Sequence, residues 1–188
     1  MARAHRLATA ARSVAGGQSV FVGGLLLCVA LDPHLVLKAS EVGVSNFGVH
    51  ATTVVPYSAA FVGSVIGLAR ASLHVRRPYA GAFVACALCY GAALVTTYPY
   101  HLDAGLTELH DATGIVTMVA SFGLGALALA RERRLAPVVA LHLAGLAVGA
   151  MTLVGAWHLL FLAQVSTSVA FSVEAVVLAQ RVSLARPT

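Results

Sequence analysis

Charge is scarce in this chain. Only 10% of its 188 residues are Asp, Glu, Lys or Arg, against 59% hydrophobic, and the mean hydropathy is +0.87. A soluble globule needs more polar surface than that to cover its core, so that class is excluded. Lysine is nearly missing, and Lys38 lies outside the long apolar runs, which removes a retinal-type Schiff base. The three cysteines are an odd number with no disulfide framework. Cys86 and Cys89 form a C-x-x-C inside an apolar run, where nothing activates a thiolate, so they read as small buried hydrophobes. No Gly-rich phosphate loop or nucleophile elbow occurs, which argues against an ATPase and an ordinary serine hydrolase. Haem ligation would want histidines facing one another inside the bilayer, and only His142 is clearly there.

What is present is a succession of apolar stretches near the ~20 residues that a helix needs to cross a ~30 Å hydrocarbon core. Six are expected, over about 16–37, 53–73, 79–98, 110–130, 136–160 and 161–181. The first ends at Leu31 unless Asp32 and Pro33 lie at the interface. The fold class is therefore all-α, a bundle of six transmembrane helices forming a single domain over 1–188, with no stretch left for a soluble domain.

Eleven of the twelve basic residues fall into four groups: Arg3, Arg6 and Arg12; Arg70, Arg76 and Arg77; Arg131, Arg133 and Arg134; Arg181 and Arg186. Six crossings put all four on one side, and the positive-inside rule makes that side, and both termini, cytoplasmic. The net charge of +5 belongs to these membrane-flanking arginines, so no nucleic-acid partner is expected. The excess of Ala, Gly, Val and Leu, with Arg far above Lys, fits a GC-rich bacterial genome and an inner-membrane location. Arg3, Arg6 and Arg12 before an apolar run, with Cys28-Val29-Ala30 as a loose cleavage site, also resemble a signal peptide; cleavage would leave five spans.

The opposite side gathers most of the chemistry. It holds Asp32, His34, Lys38, Glu41, Asn46 and His50 in the first loop, and His101-x-Asp103-x4-Glu108-x-His110-Asp111 in the second. His158 joins them at the fifth-to-sixth hairpin. Histidine with carboxylate is the donor set of a zinc or other divalent metal site, for which His101, His110 and His158 are the candidate ligands. The competing reading is a set of solvated loop polars, with Trp157, Tyr98 and Tyr100 as interfacial aromatics. Inside the bilayer, Glu174 in span six and His142 in span five fall at nearly equal depth, within about 6 Å at ~1.5 Å per residue. A bare carboxylate there is costly, so it should be neutral or paired. Gly63-x3-Gly67 and Gly145-x3-Gly149 are expected to let helices approach closely within the bundle.

Ser40-Glu41-Val42-Gly43, Asn46-Phe47-Gly48, Pro56-Tyr57-Ser58, Tyr98-Pro99 and His110 follow an order that resembles the bacterial and archaeal six-span family called domain of unknown function 998. That family is similar in layout to the eukaryotic DRAM-like proteins. The resemblance implies a six-span membrane fold without an established reaction, and marks Glu41, Asn46 and His110 as candidate positions.

Three function classes follow. The leading one is a non-enzymatic binding, accessory or structural membrane protein without a cofactor, with the bilayer as its partner and a lipid or small molecule as ligand. A second is a metal- or His/Asp-dependent lipid hydrolase, with Asp103 or Glu41 as base or ligand and Asp111 orienting an imidazole. A third is a proton-coupled transporter using Glu174 and His142, although no inverted repeat is evident.

Overall fold

A computed structural model describes residues 8–183. Among them the chain is helical, without a named strand: α1 (Thr9–Leu31), α2 (Leu35–Val42), a 3₁₀ turn (Val44–Val49), α3 (Val54–Ser72), α4 (Arg77–Thr97), α5 (Ala104–Arg131), a 3₁₀ turn (Arg133–Leu135), α6 (Ala136–Leu153) and α7 (Leu160–Val182). Six of the helices are long and apolar enough to cross a membrane, and the short α2 is not among them. The protein is a multi-pass membrane protein.

The expected spans correspond one to one with these helices, and their ends differ for identifiable reasons. Hydropathy starts the first span at about 16 and ends it at Leu31, or at 37 with Asp32 and Pro33 at the interface; α1 begins earlier, at Thr9, and stops at Leu31. Pro33 lacks the amide hydrogen needed to continue the helix, so the chain turns and restarts as α2, which packs on α7. The fourth span is expected from 110, but α5 starts six residues earlier because Asp103 acts as its N-cap, accepting a hydrogen bond from the Leu106 amide at 2.9 Å. The fifth is expected to run to 160, whereas α6 ends at Leu153, beyond which Gly155 takes a positive φ of 76°.

Glycines set the helix spacing. A Cβ on Gly17 would lie 2.6 Å from the Gly63 carbonyl oxygen and 2.8 Å from Gly67 Cα, so α1 and α3 touch along their backbones. On α6, a Cβ on Gly145 would lie 2.6 Å from Ser166 Oγ of α7. Both expected glycine pairs thus pack within the bundle. Its centre is an aromatic cluster in which Tyr90 stacks on Phe171 at 5.6 Å and meets Phe21 edge-on at 5.5 Å, with Phe61 between Phe21 and Tyr57. Cys28 and Cys86 are buried, Cys89 is partly buried, and all three are free.

The described arginine groups gather at one end. The Ala8 amide donates to Gln180 Oε1, the Arg76 amide donates to the Val182 carbonyl, Arg181 pairs with Glu132, and the Arg131 guanidinium lies 5.1 Å from the Tyr79 ring centre. The first three contacts tie the start of α1 and the α3–α4 and α5–α6 connections to the end of α7, and the fourth joins α5 to α4. Arg3, Arg6 and Arg186 lie outside the described residues.

Candidate functional site

Helix α7 carries a polar stripe on its inward face: Gln164, Thr167 and Ser168 in its first two turns, then Glu174 near mid-helix. Glu174 is fully buried. Its Oε2 lies 2.7 Å from Nδ1 of His142 on α6, which is also fully buried. The depth match read from the sequence is therefore a contact. Space for it comes from α5: a Cβ on Gly125 would collide with the Glu174 carboxyl group, so only glycine admits the carboxylate there. One turn earlier on α5, Ser121 donates to the Met118 carbonyl at 2.8 Å and lies 3.5 Å from His142 Nε2, while the Phe122 ring meets the imidazole edge-on. Oε1 of Glu174 is buried with no hydrogen-bond partner among the described residues, so the network is half satisfied.

Ser121 also borders a cavity of ≈ 80 Å³ that extends toward the end away from the arginines. Its apolar wall is Phe21, Phe61 and Ala93. Its polar lining includes Ser45, Tyr57, Tyr90, His110, Thr117, Gln164, Thr167 and Ser168. At roughly 10–15 Å³ per water sphere this is room for a short chain of waters, well below the ~300 Å³ of a drug-sized site. The lining is only partly satisfied by protein. Tyr57 bonds Thr97 at 3.1 Å, and Gln164 Oε1 accepts the Val44 amide at 2.7 Å. Tyr90 is 5% exposed, and neither its hydroxyl nor that of Ser168 has a hydrogen-bond partner among the described residues.

The pair has two protonation states that its contacts define. If the imidazole carries hydrogen on Nδ1, it donates to the Glu174 carboxylate and Nε2 is an open acceptor beside Ser121; this state has a net charge of −1. Adding one proton at Nε2 makes the pair neutral overall, as imidazolium with carboxylate or as imidazole with carboxylic acid.

The residues of the loops at the end away from the arginines do not assemble in the same way. Glu41 pairs with Lys38 at 3.5 Å on the exposed face of α2. Asp103 caps α5, and His101, Glu108, Asp111 and His158 are exposed. His50 is half-buried and gives its carbonyl to the Thr53 and Val54 amides. Of the histidines and carboxylates in this group, His110 reaches the cavity: its ring stacks on Tyr100 at 4.8 Å and its Nδ1 lies 3.2 Å from Thr96 Oγ1. Burial beside Asp111 pushes the Tyr100 phenol above its ordinary pKa. Asn46 is buried with Nδ2 unpartnered among the described residues. Among those residues, no three His, Cys, Asp or Glu side chains gather where they could hold a metal ion.

Ser121, Gly125, Tyr90, Gln164, Thr167 and Ser168 belong to the site without standing out in the sequence. A signal exists for some of them: Ser121-x3-Gly125 is a small-residue pair, and the polar positions of α7 recur at helical spacing with Glu174. No protein-family model, curated protein or solved structure gives a significant match to this chain.

Proposed function

We propose that this chain is a proton-responsive binding protein of the cell membrane, taking up a proton at the His142–Glu174 pair through the cavity that ends at Ser121. The observation that carries the reading is the continuity from cavity to pair: Ser121 lines the one and lies 3.5 Å from Nε2 of the other. No other titratable side chain hydrogen-bonds or ion-pairs with either residue among those described, so the proton has one place to go. The arginine-bearing end faces the cytoplasm by the positive-inside rule, which opens the cavity toward the outside and leaves both termini inside. The resemblance to domain of unknown function 998 fits this reading, since Tyr57 and His110 line the cavity and Gly43 abuts Gln164.

The test is infrared difference spectroscopy of the full chain in proteoliposomes during an external pH jump. A carboxyl band that appears with acidification, vanishes in Glu174→Gln and exchanges slowly with deuterium in Ser121→Leu supports the proposal. A band unchanged in Glu174→Gln, or a wild type that shows neither a carboxyl nor an imidazolium band on acidification, overturns it.

A second reading, proton-coupled movement of a small polar solute, draws on the Tyr90 and Ser168 hydroxyls in the cavity wall, which make no hydrogen bond among the described residues and which a solute would satisfy. It requires that Tyr90→Phe alter solute uptake while leaving the Glu174 band intact.

A further inference from the structure

At the arginine-bearing end, an open groove of ≈ 550 Å³ runs along the close contact between α1 and α3. Arg12 and Ser13 of α1 stand at its mouth opposite Arg70 of α3, and Gly16, Val20 and Ile66 line it deeper in. We propose that this groove binds one anionic phospholipid, its phosphate between Arg12 and Arg70 and an acyl chain along Gly16, Val20 and Ile66.

Charge and shape both point to such a ligand. The two arginines are exposed, and neither forms an ion pair among the described residues, where the sole side-chain partner of Arg12 is Thr9 Oγ1 at 3.4 Å. At the same end Arg181 is engaged by Glu132, and Arg131 lies over Tyr79. Two arginines that line one groove from different helices, together with Thr9 and Ser13, suit phosphate oxygens, which arginine binds bidentately. A basic pocket between transmembrane helices at the headgroup level is a recurrent mode of anionic lipid recognition.

The floor is equally specific. Gly17 is pressed onto the α3 backbone, but a Cβ on Gly16 would meet nothing within 4 Å, so glycine at 16 leaves the groove open rather than closing a helix contact. From Arg12 to Val20 the groove descends about 12 Å at ~1.5 Å per residue, from the interface into the hydrocarbon zone. A phospholipid has that same order of anionic head above apolar tail, which a free phosphate ion lacks.

Native mass spectrometry of the full chain, purified with equimolar phosphatidylglycerol and phosphatidylcholine, tests the assignment. Wild type should retain one phosphatidylglycerol in preference to phosphatidylcholine. Arg12→Gln/Arg70→Gln should cut that preference by about tenfold, and Gly16→Leu should reduce retention by filling the floor. Arg133→Gln/Arg134→Gln, which removes equal charge at the same end, should leave it unchanged. An equal loss in that control, full retention in Gly16→Leu, or complete displacement by glycerol phosphate would each overturn the proposal. All variants change exposed positions, and matching thermal melts establish that they are folded.

Discussion

Glu174 shows how one buried carboxylate organises its surroundings. His142 supplies the partner, Gly125 the space and Ser121 the link to the cavity. Removing one member of a buried pair leaves the other uncompensated and costs about 3–5 kcal/mol, whereas replacing both with apolar residues of similar volume is often neutral. His142→Leu and Glu174→Met should therefore each lower stability by an amount of that order in mixed-micelle denaturation, and the double variant should recover most of it. Additive losses would show that the two side chains are not coupled. At the arginine-bearing end, the hydrogen bond from Arg181 holds the Glu132 carboxyl below its ordinary 4.5. A depressed carboxyl pKa contributes stability that is present above the unfolded value and lost as pH falls through the folded one. Wild type should thus melt slightly above Glu132→Gln at neutral pH and converge with it in acid; a gap that survives in strong acid excludes the ion pair as its source.

At the level of helices, neighbouring glycines have opposite roles. Gly17 sits where α1 and α3 backbones touch, whereas a methyl group added at Gly23 of the same helix would meet nothing within 4 Å. Gly17→Ala should weaken the bundle by an amount on the order of the 1–3 kcal/mol typical of overpacking, while Gly23→Ala should be neutral or slightly stabilising. Equal thermal melts for the two variants would contradict the close α1–α3 contact. Such distinctions are invisible in the string, because Gly16, Gly17, Gly23 and Gly24 differ only in which face they occupy. Helix faces also divide the second loop. His101, Asp103, Glu108, His110 and Asp111 read as one constellation, but α5 begins at Ala104. On a helix, Glu108 and His110 are about 200° apart, so one faces away when the other faces inward.

For the whole molecule, the charge partition is the strongest organising feature. Contacts of the α7 end with the start of α1 and the α3–α4 and α5–α6 connections bring the described arginine groups to one face. Single cysteines replacing His74 and His158 in a cysteine-free background should label from opposite sides of the membrane. His158→Cys should react with an impermeant maleimide in intact cells, and His74→Cys only after permeabilisation. Labelling of both from one side would break the proposed orientation.

Fold class, the number of apolar spans, the shared end of the described basic groups and the equal depth of His142 and Glu174 are legible along the chain. Hydropathy, charge position and residue counting are one-dimensional quantities, and a bilayer reads them along one axis. Only the tertiary structure decided which helix faces meet. It joined Nδ1 of His142 to Glu174 against Gly125, dispersed the loop carboxylates and histidines, and left a cavity between Tyr90 and Ser168. Rotation about a helix axis depends on how side-chain volumes interlock across several helices, and the Asp103 cap brings Glu108 and His110 into α5, where they take different faces.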